Sequence, residues 1–241
     1  MLTLEKVNAG YDKLHVLYDI SLSIPDKKIT VIVGPNGSGK STLLKTIFGL
    51  SRIYSGKILY DGKEITGQPP HIISRMGIAY LPQTRNVFDN LTVEENLKMA
   101  SYTLDKEKTE ERIEKVLDIF PILRGFMKRK ARYLSGGEKQ MLAMAMALLR
   151  EPRVMMFDEP TAALAPKIAY QVLDIIESLK KDHGITIVLV EQNAKIALER
   201  GDKAVLLASG NVIFEGGCEE LLSHPELGRL YLGLRGRNGG E

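Results

Sequence analysis

The sequence predicts an α/β fold: a parallel sheet, an antiparallel β flank ahead of it and a helical insertion within it. Three observations carry this. The apolar run Ile29-Thr30-Val31-Ile32-Val33 leads through a glycine-rich loop into a helical-period stretch from Leu43 to Phe48. Helix, strand and helix patterns then alternate over Ala165 to Lys181, Ile185 to Val190 and Ala194 to Arg200, which is the order that builds a parallel sheet. Between Thr84 and about Leu134, apolar residues recur at helical spacing instead.

With 241 residues and 44% apolar content, the chain can bury a core of its own. One domain is expected over 1–241, with a core of 1–83 and 150–241 and a helical subdomain over about 84–149. A net charge of +3 is too slight to indicate a nucleic acid partner, so none is expected. The single cysteine, Cys218, excludes an internal disulfide and a cysteine-rich metal site, and it fits a reducing compartment as a small packing residue. The longest apolar run, Met141 to Leu149, falls far short of the ~20 residues of a membrane helix. Met1 to Glu5 lacks the basic start and apolar stretch of a signal peptide. A cytoplasmic protein is expected, with any membrane association made through a partner. His15, His71, His183 and His224 have no metal-ligand spacing and read as surface or packing residues.

Residues 2–8 alternate apolar and polar, suggesting an edge strand, and Val16 to Ile24 reads as its neighbour before a turn at Pro25-Asp26. Tyr11, between them, is either a packed loop tyrosine or a ring on which a base stacks, a contact worth roughly 1–3 kcal/mol. Gly34-Pro35-Asn36-Gly37-Ser38-Gly39-Lys40-Ser41-Thr42 fits G-x-x-x-x-G-K-[ST] between a strand and a helix. Glycines there let backbone N–H groups turn towards phosphate oxygens, and the helix start adds unpaired donors. Lys40 then reaches the β- and γ-phosphates and Ser41 ligates Mg²⁺. The motif alone serves kinases, GTPases, ATPases and DNA motors. Gly49 marks a helix C-cap, Asp61-Gly62 a hairpin turn within 56–65, residues 71–75 a short helix and 77–81 a buried strand. Gln83 follows that strand at its carboxyl end, where open α/β sheets bind ligands.

Thr92-x-x-Glu95 is a capping box opening a helix towards Ala100, and 107–120 carries a second helix. Lys128-Arg129-Lys130-Ala131-Arg132 reads as a solvated connector. Ser135-Gly136-Gly137-Glu138 is another capping box, before a helix at Lys139 to Arg150 whose Met141, Met144 and Met146 fill the core. Its two glycines would also let helix N–H groups approach an anion, with the Ser135 hydroxyl beside them.

Val154 to Phe157 is an apolar strand that ends in Asp158 and Glu159. Side chains alternate along a strand, so the two acids are expected to have different jobs: Asp158 orients Mg²⁺ and Glu159 polarises the attacking water. Gln192 sits just past the strand 185–190, with an amide able to donate to a phosphate. A hairpin around Ser209-Gly210-Asn211 and a helical tail from Glu219 to Leu234 follow, with fraying expected over 235–241.

In this order and spacing, Gly34–Thr42, Gln83, Leu134–Glu138 and Val154–Pro160 resemble the ATP-binding cassette of ABC transporters. The resemblance covers nearly the whole chain and implies a P-loop NTPase (RecA-like) core that binds ATP and Mg²⁺. It also implies that Ser135, Gly136, Gly137 and Glu138 contact the γ-phosphate held by a second cassette of a dimer. By the same likeness Gln83 links Mg²⁺ and water to the helical subdomain, and Tyr11 stacks on adenine. Two positions depart from the general pattern: Ala165 stands where most cassettes have aspartate, and Gln192 where most have a histidine. Gln192 can hydrogen-bond a γ-phosphate but cannot carry a proton. Leu164-Ala165-Pro166, Val190-Glu191-Gln192-Asn193, Tyr80-Leu81-Pro82-Gln83, Phe88 and Leu91–Leu97 are similar to the LivF-type ATPases of branched-chain amino acid importers. That likeness implies a LivG-like second cassette, two transmembrane permeases docked near 84–97, an external solute-binding protein and a peripheral place on the cytoplasmic face of the cell membrane. Urea or amide importers share the pattern. A soluble ABC-class ATPase of cofactor-cluster biogenesis or DNA maintenance is the alternative; the lack of a long coiled-coil insertion between the motifs speaks against DNA maintenance, and the lack of a second cassette against the translation-factor ATPases. A kinase or GTPase would need an acceptor site or a guanine-reading motif, and neither is seen.

Overall fold

The computed structural model describes residues 1–84, 86–102, 104–224 and 226. The chain opens with a hairpin of β1 (Leu2–Tyr11) and β2 (Leu14–Ile24), then enters β3 (Ile29–Val33) and α1 (Lys40–Ile47). Gly49 ends α1 in the left-handed region, with φ 74°, because the chain must reverse there. The Gly49 N–H bonds Thr46 O at 3.2 Å and the Leu50 N–H bonds Lys45 O at 2.8 Å, a Schellman closure. Next come β4 (Arg52–Tyr60) and β5 (Lys63–Glu64), joined through Asp61 and Gly62 with φ 49° and 76°, the backbone of a type I′ turn. α2 (Pro70–Arg75) and β6 (Ile78–Leu81) follow.

The four-stranded antiparallel sheet has the order β2-β1-β4-β5. This corrects the expectation that residues 2–8 form an edge strand. Leu2 and Leu4 pair with both β2 and β4, so β1 is interior and β2 is the edge. Alternation of apolar and polar residues reports one buried face; it says nothing of how many neighbours a strand has.

The helical stretch consists of α3 (Val93–Ala100), α4 (Lys106–Ile119), two 3₁₀ turns at Pro121–Phe126 and Ala131–Tyr133, and α5 (Gly136–Leu148). α5 begins three residues before the predicted Lys139, since Ser135 is its N-cap and both glycines are helical. β7 (Val154–Asp158), α6 (Pro166–His183), β8 (Thr186–Val190), α7 (Ala194–Leu198), β9 (Lys203–Ala208), β10 (Asn211–Gly217) and α8 (Cys218–Ser223) complete the described chain. The expected helical tail beyond Ser223 and the frayed end over 235–241 lie outside the described residues, apart from His224 and Glu226.

These strands form the second sheet, β10-β9-β3-β8-β7-β6, in which only β10 runs antiparallel to its neighbour. β6 is its edge strand, and Ala79 and Tyr80 are only half-buried rather than enclosed as expected of 77–81. Alternation along β3 assigns the two sides of the sheet. Ile29, Val31 and Val33 pack into one apolar core with α5, α6 and the helical stretch, where Phe120, Leu123, Leu142 and Met144 are fully buried. Ile32 faces the other core, made with α1 and the antiparallel sheet through Leu4, Leu17, Leu43 and Leu44. The parallel sheet is covered on both faces, so β3, β7 and β8 read as unbroken apolar runs. Their carboxyl ends then open together at one edge of the molecule.

Candidate nucleotide site

The loop after β3 is shaped by its glycines. Gly34 has φ 150°, and a Cβ there would stand 2.0 Å from Leu207 O, so no side chain fits. Gly39 is the N-cap of α1, left-handed at φ 101°, and no side chain caps the helix. The first N–H groups of α1 therefore point into the loop without a protein acceptor, at the positive end of the helix dipole. The Ser38 hydroxyl is buried in the same loop with no hydrogen-bond partner. Lys40 is nearly buried, and its ammonium donates to Gly34 O at 2.9 Å and Pro35 O at 3.0 Å. Burial lowers its pKa, while the nearby Glu159 and Asp158 carboxylates act the other way.

Asp158 ends β7 in the interior. Its Oδ1 accepts the Ser41 hydroxyl at 2.8 Å and its Oδ2 the Tyr80 phenol at 3.0 Å. Burial raises the Tyr80 pKa and the Asp158 charge raises it further, so the phenol stays a donor. Glu159 differs in backbone as well as in partner. It lies outside the strand with φ 51°, its N–H bonds Val190 O at 2.9 Å, and its Oε2 accepts the Gln83 amide at 3.0 Å. The two acids thus differ in backbone and partners, and the difference goes with a left-handed kink at Glu159 rather than with strand alternation. Gln192 is exposed, and its Nε2 reaches Asn36 Oδ1 of the phosphate loop at 3.4 Å. Lys40, Ser41, Gln83, Asp158, Glu159 and Gln192 are in this way brought to one end of the sheet.

Ser135 to Glu138 bond among themselves. The Ser135 Oγ accepts the Glu138 N–H at 3.3 Å and a Glu138 carboxylate oxygen accepts the Ser135 N–H at 2.7 Å, a complete capping box. Among the described residues, no hydrogen bond joins this stretch to the phosphate loop. The glycines also have a reason within the chain: a Cβ on Gly136 would come 2.8 Å from Leu164, and one on Gly137 2.4 Å from Ile168. Gly136 and Glu159 nonetheless share a cleft of about 220 Å³ with Gln83, Asn86, Gln140 and Leu164. Tyr11 closes β1 opposite Leu14 and is 37% exposed beside the turn.

Three contributors were missed. Tyr80 could have been noticed as a polar ring in a sheet strand three residues before Gln83. Gln140 of α5 accepts Asn86 at 2.7 Å and donates to Pro160 O at 3.0 Å, joining the segments after β6 and β7; nothing local marks it. Glu191 repeats the signal that flagged Asp158, an acid directly after an apolar run. It is only 2% exposed, and burial pushes its carboxyl up to about 7 against hydrogen bonds from Thr161 and Gln192.

An uncapped helix start, an orphaned Ser38 hydroxyl and a buried lysine suit phosphate oxygens. A serine hydroxyl against a carboxylate, with an amide near by, suits a hard divalent cation held by oxygen ligands. Such a loop, two strands from an acidic strand end in a parallel sheet, defines a P-loop nucleoside triphosphatase.

The ABC transporter family profile matches residues 17–162. A probable branched-chain amino acid transport ATP-binding protein, LivF, of Archaeoglobus fulgidus is 57% identical over 97% of this chain and 99% of its own length. The high-affinity branched-chain amino acid transport ATP-binding protein BraG of Pseudomonas aeruginosa is 42% identical over 97% of this chain and 100% of its own. Among solved structures, a dimeric post-hydrolysis ATP-binding cassette bound to ADP and phosphate superposes with a TM-score of 0.79 at 26% identity, covering 90% of this chain and 99% of that one. The chain belongs to the ABC transporter family, as an ATP-binding and ATP-hydrolysing subunit.

No helix among the described residues is long and apolar enough to cross a membrane.

Proposed function

We propose that this chain is the energy-coupling ATPase of an importer for branched-chain amino acids. The observation that carries the reading is the pair of full-length relatives, 57% and 42% identical, both described as branched-chain amino acid transport ATP-binding proteins. In this reading residues 34–42 hold the phosphates of ATP, with Lys40 on the β- and γ-phosphates and Tyr11 against the adenine. Ser41, Asp158 and Gln83 hold Mg²⁺, which when bound neutralises charge on the phosphate oxygens. Glu159 takes the proton of the attacking water, and Gln192 donates to the γ-phosphate. The hydrogen bonds from Ser41 to Asp158 and from Gln83 to Glu159 support these assignments, because the first puts two oxygens of the proposed cation set side by side and the second sets an amide donor beside the carboxylate that would face a water.

The site needs a second cassette. Among the described residues, Ser135, Gly136, Gly137 and Glu138 make no hydrogen bond to the loop of their own chain, and they would complete the site of a partner, LivG-like or identical. The helical subdomain, about 84–149, would move with Gln83 and carry the signal to two permeases, with an external solute-binding protein beyond them. Phe88 and Met99 are each 49% exposed on that part of the molecule and would meet the permeases. The working place is then the cytoplasmic face of the cell membrane.

The test is a pull-down of the tagged protein from detergent-solubilised native membranes, read by mass spectrometry. Two integral permeases and a second cassette are expected. Soluble partners alone would overturn the transport reading, and transport assays with the recovered permeases would separate branched-chain amino acids from urea or amides.

A further inference from the structure

Glu191 directly follows β8 and is buried, so its carboxylate has lost most of its hydration and must be held by donors that suit a charge. Both oxygens are so held. Oε1 accepts the Thr161 N–H at 3.1 Å, and Oε2 accepts the Gln192 N–H at 3.2 Å. The backbone N–H of Glu191 bonds Ile32 O at 3.4 Å, which ties the residue to β3 just before the phosphate loop. Thr161 stands two residues beyond Glu159, and between them Pro160 O is fixed by Gln140 of α5. Gln192 reaches Asn36 in the phosphate loop. One buried side chain thus joins the segment that carries Glu159 to the segment that carries Gln192.

We propose that Glu191 is a positioning residue that fixes the Glu159 segment and the Gln192 segment relative to each other, so that both reach the γ-phosphate in register. The inference rests on the roles proposed above for Glu159 and Gln192. The chemistry asks for a carboxylate. Two N–H groups converge on one side chain, and only a group with two acceptor oxygens satisfies both. A glutamine of the same shape accepts one and turns its own N–H₂ towards the other. Residues on separate loops that must meet one atom lose rate steeply when displaced, even where the ligand still binds.

The experiment is a double-mutant cycle of Glu191→Gln and Gln192→Ala at pH 8, with steady-state ATPase measurements and binding of a fluorescent ATP analogue. E191Q is expected to lower kcat by about tenfold or more while analogue affinity stays within about twofold of the parent. The double variant is expected to be no slower than the slower single one, because Glu191 acts in part through Gln192. Three results overturn the proposal: E191Q turning over within about twofold of the parent, affinity falling as far as kcat, or the two losses multiplying in the double variant. Glutamine keeps the volume but turns an N–H₂ towards a backbone N–H, so E191Q is expected to melt somewhat lower than the parent at pH 8 and the assays are run well below that point; a variant that does not fold at the assay temperature would make Glu191 a residue of the fold and also sink the idea. Full turnover in Glu159→Gln or in Q192A alone would instead defeat the underlying site assignment, whatever E191Q does.

Discussion

Asp158 and Glu159 are neighbours in sequence, yet they are held differently. Each Asp158 oxygen accepts a hydroxyl, from Ser41 and Tyr80, so this buried side chain is fixed in place and keeps its remaining lone pairs for a cation. Glu159 is half-buried and holds a single amide, from Gln83, which leaves lone pairs for a water. Glu159→Gln keeps that shape and removes the base. It is expected to cut kcat by about 10²-fold or more, in line with a lost general base, and to leave ATP binding intact. Near-normal hydrolysis would sink the assignment. Glu191 makes a prediction of the opposite kind, about stability. Its carboxyl is raised by burial from 4.5 to about 7, so the fold favours the protonated form. That contribution is full below 4.5 and is lost as pH rises towards 7. Denaturant unfolding of the parent at pH 5 and at pH 7.5, compared with E191Q, should therefore show a downward slope in the parent that the variant lacks. An equal slope in both would mean that other groups set it.

At the scale of elements, α3 and α5 offer a matched pair. Both open on a complete capping box, Thr92 with Glu95 and Ser135 with Glu138. Thr92→Ala and Ser135→Ala should each cost about 1 kcal/mol in stability through the lost cap. Only S135A should lose turnover in the isolated protein, since only α5 is proposed to face a nucleotide. Equal activity in the two variants would reduce Ser135 to a cap. Both boxes were legible from four residues, as were the Asp61-Gly62 turn and the Gly49 helix end, because each is written within a single local turn of chain. The phosphate loop and the acids after β7 were also legible, and they meet at Ser41 and Asp158 although 117 residues separate them. Relations between elements were harder to read. The place of β1 between β2 and β4 depends on a partner strand some fifty residues on. The close packing of Gly136 and Gly137 comes from Leu164 and Ile168, and the partners of Glu191 are backbone groups of two loops. No window of sequence contains those partners.

At the scale of the whole molecule, the chain carries one phosphate loop and one signature stretch, and among the described residues no hydrogen bond joins them. If a working site takes its loop from one chain and its signature from another, two defective chains can mend each other. Lys40→Ala spoils the loop and leaves Ser135 to Glu138 intact, while Ser135→Ala does the reverse. Each variant alone forms dimers in which both composite sites are damaged. In an equal mixture, half of the dimers are mixed, and each mixed dimer has one composite site with both parts intact and one with neither. Turnover should then rise above the sum of the separate variants, to at most about a quarter of the parent's, with the isolated protein at concentrations that allow it to dimerise. The sign of the result decides the matter. Recovery means that the catalytic unit spans two copies of this chain; a mixture no more active than its components would mean that two copies do not complete each other's sites, and the same mixture with a LivG-like second cassette added would then separate a mixed dimer from a chain that closes its own signature over its own loop.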